Sequence, residues 1–167
     1  VDGAYCLVDG QYGSTGKGLL AAYLAARYPG KIDIVVTSGG PNSGHTFYAG
    51  DDKVVLKQLP TFAIAHKKFH GREVPVFISG GAVVNPEILT AEVERHSQRV
   101  FLHRNAAVVL PEDLDVEHSG VLDHVASTRQ GTGAAIARKV LRHANAVVGT
   151  WNGWPDKIIL TDAVPLL

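Results

Sequence analysis

A run of glycines between an apolar stretch and a helical pattern constrains this chain more than any other feature. It reads Gly10-Gln11-Tyr12-Gly13-Ser14-Thr15-Gly16-Lys17-Gly18. Before it, Tyr5–Asp9 reads as a short buried strand, with Cys6 as a core residue. After it, Lys17–Tyr28 repeats apolar residues at helical spacing, with Leu20, Leu24 and Tyr28 on one face and Pro29-Gly30 as the stop. Ile32–Thr37 is apolar and β-branched and reads as a second buried strand. Strand, glycine turn, helix and strand open an α/β fold, so we expect an open, mostly parallel sheet with flanking helices and a P-loop-like nucleotide-binding architecture. Backbone amides in such a turn, the helix amino terminus and the mobile charge of Lys17 together suit a polyphosphate. The loop is not a standard P-loop. It is one residue longer, and Gly18 stands where a Ser or Thr would hold magnesium.

Further elements follow in order. A hairpin is expected with arms near Thr46–Tyr48 and Lys53–Lys57 around Gly50-Asp51-Asp52, then a strand at Val74–Ile78. Asn85-Pro86-Glu87 opens a helix, since Asn caps, Pro tolerates the first position and Glu meets the positive dipole end. Arg99–Leu102 and Ala106–Leu110 are strand candidates, and Ala134–His143 is a basic helix. His66, Lys67, Lys68 and His70 read as a solvated basic turn, because no carboxylate or Cys stands at ligand spacing. Trp151 and Trp154 read as closing a core edge rather than stacking on bases. One nucleotide-binding catalytic domain is expected over residues 1–167, incomplete at its apolar carboxyl end, with trimming of the first residue accounting for the start at Val1.

Lys and Arg number 16 against 16 Asp and Glu, which gives no basic field for nucleic acid or a membrane surface. No stretch reaches the ~18 apolar residues of a membrane span, and no signal peptide precedes the first expected strand. The single cysteine fits a reduced, cytoplasmic setting.

Two more loops extend the pattern. Gly39-Gly40-Pro41-Asn42-Ser43-Gly44-His45-Thr46 follows a strand, where ligands gather in open α/β sheets. Asn42 offers amide donors and acceptors, and His45 an acid or a phosphate donor. Ser127-Thr128-Arg129-Gln130-Gly131-Thr132-Gly133 precedes the helix carrying Arg138, Lys139 and Arg142. Its hydroxyls and amides suit phosphate, while its basic residues also fit a merely solvated helix face.

In this order the three loops resemble the successive signatures of the adenylosuccinate synthetase family. Leu59-Pro60 and Ile78–Val84 add smaller echoes, and the likeness runs from Tyr5 to Arg142. That family phosphorylates the 6-oxo group of a purine nucleotide and displaces the phosphate with the amine of aspartate. The resemblance implies that Gly13, Ser14, Thr15, Gly16, Lys17 and Gly18, with Gly44, His45 and Thr46, hold the triphosphate. It implies that His45 acts as the acid in phosphoryl transfer, and that Ser14 and Gly44 ligate Mg2+. Ser14, Asn42, Ser127, Thr128 and Gln130 would lie along the purine nucleotide, and Arg142 would reach its phosphate from the neighbouring subunit of a homodimer.

One departure bears on the substrate. Ordinary members carry Asp-Glu where this chain has Ser14-Thr15, and the Asp is the base for N1 of inosine monophosphate. A serine hydroxyl is a poor base, and no partner base is evident nearby in the sequence. Ser14 is smaller and uncharged, and can accept a hydrogen bond from a 2-amino group. The Gly-Ser-Thr-Gly-Lys-Gly form also resembles the viral branch of the family, which joins L-aspartate to dGMP with ATP as donor on the way to 2-aminoadenine. Ser14 is then the expected catalytic partner of His45, in the host cytoplasm. The alternatives are an ordinary synthetase using IMP and GTP, or a non-catalytic nucleotide-binding fragment. The Arg129-Gln130 pair also departs from the ordinary spelling, which leaves the role of Gln130 open.

Overall fold

The computed structural model describes residues 3–11, 15–120 and 127–165. Gly13 and Ser14 lie outside the described residues. Four parallel strands form the main sheet, in spatial order β1 (Val35–Thr37), β4 (Val76–Ile78), β6 (Val100–His103) and β8 (Ile158–Thr161). Register is continuous across the sheet: Val35 faces Val76, Val76 faces Val100, and Val100 faces Ile158. β4 is buried along its length, as the unbroken apolar run Val76–Ile78 requires of a parallel strand covered on both faces.

The connections carry the rest. Between β1 and β4 run an antiparallel hairpin, β2 (His45–Ala49) with β3 (Asp52–Leu56), and helix α2 (Thr61–His70). Gly50 turns the hairpin at φ 63°, in the left-handed region a tight two-residue loop needs. Between β4 and β6 lie β5 (Val83–Val84) and α3 (Pro86–His96). Asn85 caps α3 as expected, its Oδ1 accepting from the Glu87 and Ile88 amides at 3.0 and 3.2 Å. β7 (Ala107–Val108) pairs in parallel with β5, and α4 (Pro111–His118) and α5 (Thr132–Val140) lead on to β8. Leu56, Leu59, Ile64, Val76, Leu89, Val93, Val100 and Leu102 form the centre of the core. Trp151 and Trp154 pack against its edge with ring centroids 6.5 Å apart.

Three expectations are corrected. Tyr5–Asp9 is not a strand: Tyr5 and Val8 are 73% and 75% exposed, and Cys6 is exposed too. An apolar run becomes a strand only by pairing, and no described strand lies along the free side of β1. Helix α1 (Lys17–Arg27) forms where expected, but buries Gly18, Ala22 and Ala25 rather than Leu20, Leu24 and Tyr28. Its small-residue face lies against α2, whose Thr61 hydroxyl donates to the Gly18 carbonyl at 2.7 Å. At the other end, His70 Nε2 meets the Ala25 carbonyl at 2.8 Å. Small side chains permit that backbone approach, and the leucines are left outward.

His66–His70 is helical, not a solvated turn. His66 is buried, and Lys67 Nζ donates to the His96 and Ser97 carbonyls at the end of α3, at 2.8 and 2.9 Å. Lys68 pairs with Asp52 at 2.6 Å.

Candidate active site

Helix α1 starts with Gly16 in the left-handed conformation at φ 81°, and no side chain caps it among the described residues. No acidic residue stands in its first turn. Its leading amides therefore offer partial positive charge beside Lys17. Lys17 Nζ and the Thr15 hydroxyl both donate to the Asp9 carboxylate. Those two bonds, Lys17's first, hold the Asp9 carboxyl below its ordinary range. Asp9 is thus a carboxylate inside the first loop that the sequence reading passed over, five residues before Ser14. An acid standing at the mouth of a lysine-bearing glycine loop was the signal available.

The second loop packs directly on the first. A Cβ placed on Gly18 would lie 2.7 Å from both the Cβ and Nδ1 of His45, so only glycine lets the imidazole rest on the first turn of α1. Burial pushes the His45 pKa below its usual 6.5, and the charge of Lys17 adds to this, while Glu92 and Asp9 oppose it. Near neutral pH this environment favours the neutral imidazole. A bound triphosphate brings negative charge that favours the protonated form.

Ser43 ties the loop down, its hydroxyl lying 2.7 Å from the Gly40 carbonyl and 3.0 Å from that of Lys57. Glu92 of α3 accepts from the Gln58 and Leu59 amides at 3.1 and 2.8 Å and from the Lys57 amide as well, which steadies the end of the hairpin bearing His45. Asn42, Gly44 and Thr46 are exposed.

The third loop meets the second at Gly40, where an added Cβ would lie 3.5 Å from the Thr132 methyl. Lys139 Nζ donates to the Gly80 carbonyl at 2.7 Å, linking α5 to the loop after β4. Contacts thus run from the first loop to the second and on to the third, at the carboxyl end of β1.

The amino terminus of α5, however, is not open to a phosphate. Buried Glu117 of α4 fills it, accepting from the amides of Gly131 at 2.7 Å, Gly133 at 2.8 Å and Ala134 at 3.3 Å. What the loop presents are side chains: Thr128 is exposed, and Ser127 and Gln130 are half-buried. Gln130 Nε2 donates to the Thr128 carbonyl at 3.2 Å, and the Ser127 hydroxyl accepts from the Arg129 amide at 3.1 Å.

The basic residues of α5 divide. Arg138 is neither solvated nor a phosphate donor: it is buried against Asp113, with Nε–Oδ1 and Nη2–Oδ2 distances of 2.9 and 2.7 Å. Arg142 is exposed beyond the helix end, beside a cavity of about 400 Å³ lined also by Gly81, Ala82, Ile136 and Lys139. A larger, open cavity of about 520 Å³ lies at the opposite end of the sheet, between Gly30–Asp33 and Arg72–Pro75, and includes none of the three loops.

Among the described residues no three His, Cys, Asp or Glu side chains gather as a metal cluster. Magnesium bound through phosphates needs fewer protein donors, and a carbonyl such as that of exposed Gly44 is of the right type.

Comparison with known sequences decides the family. The sequence model of adenylosuccinate synthetase matches residues 6–156. The chain belongs to the adenylosuccinate synthetase family. Among its relatives is the N6-succino-2-amino-2'-deoxyadenylate synthase of Salmonella phage PMBT28, 32% identical over 145 residues, 84% of this chain and 38% of the relative. The enzyme of that name from Cyanophage S-2L is 34% identical over 144 residues, 85% of this chain and 38% of the relative. The adenylosuccinate synthetase of Thermococcus sibiricus is 30% identical over 152 residues, 86% of this chain and 42% of the relative. The chain therefore spans about two fifths of the length of such synthetases.

Solved structures agree. The Cyanophage S-2L succinoaminodeoxyadenylate synthetase, bound to dGMP and to dATP as an energy donor, superposes with a TM-score of 0.74 at 35% identity. That match covers 86% of this chain and 39% of the phage enzyme. The fully ligated adenylosuccinate synthetase of Plasmodium falciparum, at 22% identity and a TM-score of 0.70, shares the fold. It is matched over 84% of this chain and 33% of its own length.

Proposed function

We propose that these residues serve a ligase that joins L-aspartate to the 6-position of dGMP, with an adenine nucleoside triphosphate as phosphate donor. The products are N6-succino-2-amino-2'-deoxyadenylate, ADP and phosphate when the donor is ATP. The observation that carries the reading is Ser14-Thr15 in place of Asp-Glu within a family-typical loop. The phage relatives named for that product, and the dGMP in the S-2L structure, support it.

In this reading the α1 amino terminus, Lys17 and the segment Gly13–Gly18 take the triphosphate, together with Gly44, His45 and Thr46. Phosphoryl transfer is mostly positioning and charge neutralisation, which amides, Lys17 and Mg2+ on the phosphates and the Gly44 carbonyl would supply. Triphosphate binding draws Lys17 from Asp9 toward the phosphates and favours the His45 imidazolium, which then donates its proton toward the purine 6-oxygen. Ser14, Asn42, Ser127, Thr128 and Gln130 line the nucleotide.

Arg142 reaches the nucleotide phosphate across a homodimer. Its place supports this: Val140 and Leu141 just before it are 74% and 69% exposed, an apolar rim suited to a second copy. No described helix is long and apolar enough to cross a membrane, and we place the enzyme in the cytoplasm of a phage host.

Ser14→Asp tests the substrate choice. A carboxylate supplies a base for N1 and crowds the 2-amino group, so the ratio of kcat/KM for dGMP over IMP should fall about ten- to a hundredfold. The ratio is the readout, because the variant's absolute rate also reflects a pocket shaped around serine. An unchanged ratio would remove Ser14 from recognition of the purine 2-position.

A further inference from the structure

We infer that Glu117 is a positioning residue for the purine nucleotide: its carboxylate fixes the loop that presents Thr128 and Gln130. This rests on the proposed reading of that loop as the nucleotide's wall.

Glu117 lies on α4, 14 residues before Gly131, and is 95% buried, being 5% exposed. Among the described residues its partners are backbone amides, not a cation. One oxygen accepts from the Gly131 amide at 2.7 Å, and the other from Gly133 at 2.8 Å and Ala134 at 3.3 Å. The negative charge sits at the positive end of α5, where its burial is offset by the helix dipole and three donors.

Close packing also sets the loop's path. Gly131 caps α5 at φ 72°, and a Cβ there would meet Val109 Cγ1 at 2.8 Å, so the chain passes close to the residue that follows β7. Arg129 is held at φ 50°, a left-handed conformation that a non-glycine residue keeps only when its surroundings fix it. Thr128 and Gln130 flank Arg129, three and one residues ahead of the Gly131 amide that Glu117 holds. A change at Glu117 therefore moves these two side chains while leaving α1, Lys17 and His45 in place.

Glu117→Gln keeps the shape but supplies one acceptor oxygen and an NH2 group. Whichever way the carboxamide turns, it sets a donor against either the Gly131 or the Gly133 amide. The decisive experiment is steady-state kinetics of the full-length enzyme with dGMP and ATP varied separately, beside thermal unfolding. The KM for dGMP is expected to rise about tenfold or more, with the KM for ATP within about twofold of wild type. Glu117→Asp retains the charge with a shorter reach and is expected to fall between the two. It carries the test alone if Glu117→Gln does not fold. An unchanged KM for dGMP in a folded variant would overturn the inference. Equal losses for both substrates would also overturn it, since they would mark a purely structural role. Wild-type enzyme that does not turn over dGMP would instead sink the proposed function, a distinguishable failure.

Discussion

His45→Ala in the full-length enzyme is expected to lower kcat about 10²–10⁴-fold, with the KM for the triphosphate changed far less. The imidazole sits against the first turn of α1 at a spacing that only Gly18 permits, so it is placed at the phosphate end of the site. Burial and Lys17 together hold its pKa below 6.5 in the open site. The pH dependence follows. A proton donor is lost as pH rises through its pKa, so kcat/KM, which reports the free enzyme, should begin to fall on the acid side of neutrality. The corresponding limb of kcat should lie at higher pH, because bound triphosphate favours the imidazolium. Both limbs should vanish in His45→Ala. A variant with wild-type kcat would remove His45 from the chemistry.

Arg138→Met is expected to destabilise the fold by about 3–5 kcal/mol, because it leaves a buried carboxylate without its partner. The guanidinium grips both oxygens of Asp113, which is 3% exposed, and donates to the carbonyls of Val108 at 2.6 Å and Asn145 at 2.7 Å. Asp113 Oδ2 in turn accepts from the Leu110 amide at 2.8 Å and so anchors the start of α4. Removing the cation takes a donor from two carbonyls and leaves the buried carboxylate with the Leu110 amide but no counter-charge. Thermal or denaturant unfolding reads the loss directly. The double variant Arg138→Met/Asp113→Leu should recover much of it, because the unpaired charge is then gone. A single-variant cost under about 1 kcal/mol would show that water reaches the pair and that its geometry matters little.

How much of this was legible depends on the reach of each interaction. The start of α3 could be read because Asn85, Pro86 and Glu87 act on amides two and three residues away. The hairpin could be read because Gly50 and its flanking arms are neighbours in sequence. The face of α1 could not. Apolar spacing favoured Leu20, Leu24 and Tyr28, whereas close approach to α2 favoured Gly18, Ala22 and Ala25, and α2 itself was not foreseen. Tyr5–Asp9 has the composition of a strand, but pairing belongs to a partner that composition does not name.

The site divides in the same way. The three loops announced themselves by their glycines, and their order carried the family. The carboxylates that organise them did not. Glu117 and Glu92 act on amides 14 to 17 and 33 to 35 residues away, with no local spacing to betray them. Arg138 fitted a merely solvated helix face because its partner, Asp113, lies 25 residues back. Asp9 was the exception: it stands in the loop itself and was passed over as the end of a strand.

Coupling of aspartate to dGMP at this site, as proposed, is tested most directly by one assay. Full-length protein is incubated with dGMP, L-aspartate, ATP and Mg2+, and ADP, phosphate and the succinylated nucleotide are followed, with IMP and GTP run in parallel. The expected result is phosphate release that depends on aspartate, a product heavier than dGMP by one aspartate less one water, and a kcat/KM for dGMP above that for IMP. Binding of dGMP and ATP without aspartate-dependent phosphate release, or a preference for IMP, would contradict it.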